Sequence, residues 1–159
     1  MKNKLFLSAV VAFLASACST LAPETGKPTA KDPARFSYTR LHCTPDNESH
    51  FETVTVDLAK LDGVPPAPHA FSRRGTATFV GFGGFVPQWG AKELQGRKFH
   101  TAPAAQWVVY LEGSMSVTTS DNDTRRFRAG DVLRVEDVTP CKGHISVVGD
   151  ENTFIMLVR

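Results

Sequence analysis

Short segments in which apolar and polar residues alternate dominate the chain from residue 51 to its C-terminus. The period is two, which places successive side chains on opposite faces of an extended strand. Turn-forming residues separate these segments at close spacing, and no window of about a dozen residues keeps a helical apolar period. The alternating segments lie at 51–58, 76–82 and 114–118, and further strand-like segments lie at 107–111, 131–135, 144–148 and 154–158. This pattern predicts an all-β fold, built as an antiparallel sandwich or barrel.

The connections between the predicted strands are of two kinds. Residues 121–123 and 129–131 are short and rich in turn formers, which predicts hairpins. Segment 62–75 carries three prolines and segment 83–97 carries four glycines, so both are expected to be long loops. In a barrel such loops can fold over the mouth, and passive connections are the alternative. Segment 107–111 is continuously apolar, which predicts a strand covered on both faces.

Residues 1–17 have the organisation of a secretory signal peptide. Two lysines precede an apolar run of ten residues from Leu5 to Leu14, which is too short to span a membrane. Cys18 directly follows three small residues and resembles the cysteine of a bacterial lipobox, which is diacylated and becomes the new N-terminus. Ser19 resembles the sorting residue of outer-membrane lipoproteins. The alternative is cleavage by an ordinary signal peptidase, which gives a soluble periplasmic or secreted product.

The charge of the mature chain implies no basic nucleic-acid-binding face. The full chain has 18 Lys+Arg and 16 Asp+Glu, and the two lysines lost with the signal peptide leave 16 of each sign. The tight basic cluster at 125–128 is therefore predicted to be a solvated face. Residues 18–35 are rich in proline and poor in apolar residues, which indicates a flexible tether. Residues 36–159 are long enough for one compact domain.

Two stretches carry a more specific pattern. The first runs from His100 through Gln106 to Gly113, and the second runs from 130–133 to His144. Together they resemble the two signatures of a cupin, which implies an antiparallel cupin β-barrel, also called a double-stranded β-helix or jelly roll, in a single domain at 36–159. Further segments match a family of small bacterial cupin-domain proteins of the RmlC-like type, for which the resemblance gives no settled activity. These segments are 49–51, 65–68, 136–137 and 142–144.

The resemblance to metal-binding cupins implies a ligand set that this chain keeps only in part. His100 and His144 match ligand histidines, whereas Ala102 replaces the second histidine and Gln106 replaces the glutamate. The implied set for a divalent Zn, Fe or Mn is therefore His100, Gln106 and His144, completed by His50 or a water. A neutral amide offsets less of the ion's charge than a carboxylate does. The alternative is a metal-free interior in which these side chains bind one another or a small molecule.

Five other residues have an expected role or location. Trp89 is predicted to belong to the core or a loop cover, with ligand stacking as the alternative role. Alternation places the neighbours Glu136 and Asp137 on opposite faces, so we expect turn capping rather than an acid–base pair. His42 and His69 match no motif and are expected at the surface.

The chain contains three cysteines. If Cys18 carries lipid, Cys43 and Cys141 remain, and two free thiols are unusual in an oxidising periplasm. A Cys43–Cys141 disulfide is therefore predicted, which would tie the N-terminal strand to the loop that carries His144. The alternative is that the two thiols are unpaired and too far apart to bond.

Two functions from different classes stay open. The first is a cell-envelope cupin-domain protein, an outer-membrane lipoprotein facing the periplasm, that binds a small molecule or a metal in the barrel. Its expected pocket consists of His100, Gln106 and His144, with His50 and Trp89. The second is a metal-dependent cupin enzyme of the isomerase or oxygenase type that uses the His/Gln/His set. A purely structural envelope lipoprotein is a third alternative. The expected partners are the membrane, through Cys18, and an unidentified small molecule, and a homodimer is left open.

Overall fold

The computed structural model describes residues 32, 34–61, 70–72 and 75–159. The predicted signal peptide, Cys18, His69 and almost all of the predicted tether lie outside these residues. The described residues are mostly β-strand and belong to one compact unit, which confirms the all-β, single-domain prediction. In this part of the chain no helix has the length and apolar character needed to cross a membrane.

Eleven strands and one short helix follow one another along the described residues. They are β1 Arg35–Cys43, β2 Ser49–Asp57, β3 Ala59–Leu61, β4 Ala70–Ser72, β5 Val80–Phe85, α1 Ala91–Gln95, β6 Gln106–Glu112, β7 Ser114–Thr119, β8 Thr124–Arg128, β9 Val132–Val135, β10 His144–Val148 and β11 Thr153–Val158. Their hydrogen bonds form a six-stranded sheet in the order β2-β1-β9-β6-β11-β5, a three-stranded sheet in the order β10-β7-β8, and a β3-β4 pair.

The two larger sheets differ from the predicted closed antiparallel barrel. No ladder among the described strands joins the sheets, and β1 pairs with β9 in parallel. The chain passes from the large sheet to the small one at Gly113, between β6 and β7, where φ is +70°. A side chain at this position would overlap the backbone of Asn152, so only glycine permits the turn. The change of direction places β6 and β7 in separate sheets.

The hydrophobic core takes residues from both sheets. Tyr110 on β6 stacks on Phe127 of β8, with ring centroids 5.2 Å apart. Burial of each large apolar side chain contributes about 1.5–3 kcal/mol to folding. The buried cluster comprises Leu41, Ala102, Val108, Tyr110, Met115, Val117, Phe127, Leu133, Val135, Val148 and Ile155.

Several local predictions need correction. Segment 83–97 is not simply a loop, because it contains the end of β5 and helix α1, whose five residues are too few to show a helical period. Segment 62–75 includes β4. Segment 107–111 is not covered on both faces, since Leu111 is 43% exposed. The hairpin turn at 121–123 is confirmed, and its Asn122 has the positive φ of 73° that such turns require.

The Cys43–Cys141 disulfide is confirmed, with the two Cα atoms 5.7 Å apart. It joins the end of β1 to the segment that leads into β10. Two further contacts hold this segment: the backbone N–H of Lys142 donates to the carbonyl of Asn47 at 2.8 Å, and Ser49 Oγ donates to the carbonyl of Gly143 at 2.6 Å. One disulfide and two hydrogen bonds thus hold the backbone that precedes His144.

Candidate functional site

A cavity of about 160 Å³ lies between the residues of the two sheets. His100, Gln106, His144 and Trp89 line it, so four of the five predicted pocket residues lie around one space. Ser146 is the remaining polar residue of its wall. The rest of the wall is apolar or aromatic and consists of Phe85, Val108, Tyr110, Met115, Val117, Leu133, Val135, Ile155 and Leu157.

His100 and His144 are neighbours through both backbone and ring. Each backbone N–H donates to the other residue's carbonyl at 2.9 Å, and the ring centroids are 4.6 Å apart. Gly143 has φ +92°, and a Cβ there would overlap the carbonyl of His100. The glycine that precedes His144 is therefore required for the two histidines to come together. His144 is buried, whereas His100 lines the cavity while remaining exposed to solvent.

Asp137 orients the ring of His144. Nδ1–H of His144 donates to Asp137 Oδ2 at 2.5 Å, and the carboxylate is fully buried. Oδ1 of the same carboxylate has no hydrogen-bond partner among the described residues. Because Nδ1 is bonded to Asp137, the Nε2 edge of the ring is the one left for a ligand.

The expected turn-capping role of Asp137 is wrong. Burial alternates from Leu133 through Val135 to Asp137, so the carboxylate takes a core position after β9 has ended. Glu136 lies on the opposite face, as alternation predicts, and accepts hydrogen bonds from Arg40 at 2.6 Å and Arg134 at 2.9 Å. An acidic residue in register with buried apolar positions is the sequence signal that could have identified Asp137.

Arg159 holds the amide of Gln106. The buried Oε1 of Gln106 accepts a hydrogen bond from Arg159 Nε at 3.1 Å, and the Arg159 guanidinium also lies over the ring of Phe79, 4.8 Å from its centroid. This bond leaves the amide nitrogen of Gln106 as the donor toward other groups. Sequence reasoning missed Arg159 because it follows the last strand and belongs to no motif.

The site favours neutral side chains. Partial burial and the neighbouring His144 lower the pKa of His100, although Asp137 and Glu93 act in the opposite direction. Burial strongly raises the pKa of Tyr110, so its phenol keeps its proton at neutral pH. For His100 and Tyr110, the cavity thus favours the uncharged form of the side chain.

The residues present are a poor fit for a resident divalent metal. No group of three or more His, Cys, Asp and Glu side chains in the described ranges is arranged to hold an ion. The amide oxygen of Gln106, its only metal-binding atom, already accepts from the cationic Arg159, which would repel a metal ion. His100 and the free edge of His144 remain, fewer than the three protein ligands of a usual catalytic site.

His50 lies outside the cavity, which corrects its predicted place in the pocket. Its Nδ1 pairs with Asp121 Oδ2 at 2.6 Å, and Asp121 also accepts from Thr119 Oγ1 at 2.5 Å. The antiparallel pairing of β1 with β2 places His50 opposite His42, away from the histidines of the cavity. His42 is half-buried, with its Nε2 3.9 Å from Glu52.

Trp89 forms part of the cavity wall while 43% exposed. Its ring centroid is 4.8 Å from that of Phe85, and its carbonyl accepts a hydrogen bond from the backbone of Val148 at 3.0 Å. A role in stacking on a ligand stays a prediction.

No protein-family model and no curated protein matches the chain. Two solved structures show a distant likeness. Protein NMB1881 from Neisseria meningitidis is 16% identical, with a TM-score of 0.36, over 50% of this chain and 70% of that one. A putative ethanolamine utilization protein Q from Salmonella typhimurium is 16% identical, with a TM-score of 0.30, over 77% of this chain and 94% of that one. Neither likeness is close enough to carry an argument about function.

Proposed function

We propose that the protein binds a small, mostly apolar molecule that bears one hydrogen-bonding group. The observation that supports this proposal is the convergence of His100, Gln106 and His144 on a cavity whose wall is otherwise mostly apolar. Ligand sites in proteins typically combine an apolar wall with a few placed polar groups.

The size of the cavity limits the ligand to about a single ring. An apolar cavity of about 150 Å³ in another protein binds benzene, and the cavity here measures about 160 Å³. Phenol is therefore a suitable probe, because it adds one hydroxyl to a ring of that size.

The hydrogen bond between His144 and Asp137 favours a ligand that carries a donor group. In the neutral tautomer whose Nδ1–H is bonded to Asp137, Nε2 of His144 is a hydrogen-bond acceptor. Partial burial and the neighbouring His144 lower the pKa of His100, which disfavours a charge on that second ring. A hydroxyl group that donates to Nε2 of His144 satisfies this arrangement.

The domain is proposed to be of the cupin type. The glycines of the resembling motifs, Gly113, Gly130 and Gly143, all have positive φ, as residues required by tight turns do. The two signature histidines are adjacent in space, which is what a shared cupin pocket requires. The open sheets show that the closed barrel is incomplete in the described part of the chain.

The proposed location is the cell envelope, with the membrane as a partner through lipid on Cys18. The Cys43–Cys141 disulfide supports an oxidising compartment, since such bonds are rare in reducing cytosol. The sequence at 1–18 supports export and acylation.

An NMR titration with phenol tests the binding site directly. We expect shifts of the imidazole protons of His100 and His144 and of the side-chain amide of Gln106, with little change at His42 and His50. Saturable shifts confined to residues outside the cavity, or none at all, would contradict the proposal.

A further inference from the structure

An unusual number of exposed apolar side chains lie at one edge of the large sheet. Val80 is 56% exposed, Phe82 76% and Val86 64%, and Phe154 on the neighbouring strand β11 is 44% exposed. Single exposed apolar residues are normal on a protein surface, whereas a contiguous patch indicates an interaction site.

The patch coincides with an open strand edge. β5 is the last strand of the six-stranded sheet and pairs only with β11 among the described residues. Its outer edge therefore presents backbone N–H and C=O groups that have no partner strand among the described residues. Natural edge strands are usually protected by charged residues or by a covering element, and residues 80–86 contain no charged side chain.

We propose that this edge pairs in antiparallel fashion with β5 of a second copy of the chain, about a two-fold axis at Gly83. The residues around Gly83 are self-complementary in that register: Phe82 lies opposite Gly84 of the second copy, and Val80 lies opposite Val86. An isologous contact of this kind closes as a dimer and leaves no further β5 edge open.

The ring of Phe154 provides a surface for the contact. It covers the outer face of Gly84, where a Cβ would lie 3.1 Å from that ring. Phe82 of the second copy, opposite Gly84, would therefore pack against Phe154. Pairing an aromatic residue with a cross-strand glycine is a known means of stabilising antiparallel strands.

Charge favours a second copy at β5 over the same contact at two other sheet edges. β2, at the opposite edge of the large sheet, carries Glu52 and Asp57, and β8, at an edge of the small sheet, carries three arginines. Antiparallel self-pairing of β8 would bring like charges close together, which is destabilising. Self-pairing of β5 brings no like charges together, because residues 80–86 carry no charged side chain.

Sedimentation equilibrium of the purified full chain, with Phe82→Lys and the control Phe36→Lys, tests the proposal. Phe36 is 42% exposed on β1, and three strands of the sheet lie between β1 and the edge strand β5. Its replacement therefore adds the same charge far from that edge. We expect dimers of the wild type and of Phe36→Lys, and a dimer dissociation constant raised about tenfold or more in Phe82→Lys. Amide hydrogen exchange at residues 80–86 should slow as protein concentration rises.

Circular dichroism confirms that Phe82→Lys is folded, and Val80→Lys replaces it if it is not. A wild type that stays monomeric up to submillimolar concentration overturns the proposal, as does a dimer that Phe82→Lys and Val80→Lys leave intact. A monomer that binds phospholipid vesicles in a Phe82-dependent way also overturns it, because the occupant of the edge is then a bilayer.

Discussion

The fully buried carboxylate of Asp137 accepts a hydrogen bond from Nδ1–H of His144 at 2.5 Å. This contact fixes the plane of the imidazole and leaves its Nε2 edge for other partners. The same hydrogen bond satisfies Oδ2 of Asp137, whereas Oδ1 has no partner among the described residues. The geometry of His144 in the cavity therefore depends on a residue that does not line the cavity.

Replacing Asp137 with Ala should destabilise the fold by about 1–3 kcal/mol, since it leaves a buried imidazole N–H without its acceptor. Urea unfolding measures the loss. Asp150→Ala is the control, because Asp150 is exposed and accepts one hydrogen bond from Gln88 at 3.2 Å. Equal stability of the two variants would contradict the assigned role of Asp137.

Gly143 and Gly130 provide a matched pair, because both have φ +92° but only Gly143 has a close neighbour. Alanine at either position carries the left-handed strain of about 1–2 kcal/mol. Gly143→Ala should lower the free energy of unfolding more than Gly130→Ala does, since its Cβ would overlap the carbonyl of His100 and push the two histidines apart. Urea unfolding of both variants gives the difference, and a Gly130→Ala variant as unstable as Gly143→Ala would argue against the close approach.

The pKa of His100 should lie below its ordinary value of 6.5, because burial and His144 both disfavour the charged ring. The folded state then binds fewer protons than the unfolded state near this pH. The contribution of His100 to the free energy of unfolding is therefore fully present above pH 6.5 and is lost as the pH falls through the folded-state pKa. An NMR titration of the ring proton measures the midpoint. His144→Ala should raise it toward the ordinary value, and a wild-type midpoint at or above that value would refute the prediction.

Lipidation at Cys18 is expected because the cysteine follows a short apolar run and three small residues. Stable anchoring requires two or more acyl chains. Mass spectrometry of the membrane fraction should show an N-terminal acylated cysteine, and Cys18→Ser should release the protein from that fraction. An unmodified mature protein recovered from the soluble periplasm would rule out the anchor.

Local patterns predicted much of the sheet architecture. Period-two alternation located β2 and β7, and other strand-like or apolar runs located β6, β9, β10 and β11, each to within a few residues. β1 was expected only as an N-terminal strand without bounds, although it pairs along its whole length with β2. Sheet order and the parallel β1–β9 pairing depend on contacts between distant segments, which alternation does not report.

The candidate site was predictable only where a motif carries it. His100, Gln106 and His144 line one cavity, as their places in the cupin-like signatures suggested. Arg159 was missed because no spacing rule links it to Gln106. The role of Asp137 was missed although its register with buried apolar residues was visible in the sequence. His50 was placed in the pocket without any spacing to support it, and it pairs with Asp121 instead.

Calorimetric comparison of phenol with benzene tests the central claim most directly. The wild type and His42→Ala, a histidine outside the cavity wall, should bind phenol about 2–10 times more tightly than benzene, the factor that one net hydrogen bond gives. In His144→Ala this preference should disappear while benzene still binds. Failure of the wild type to bind either compound, or a phenol preference that survives in His144→Ala, would contradict the account.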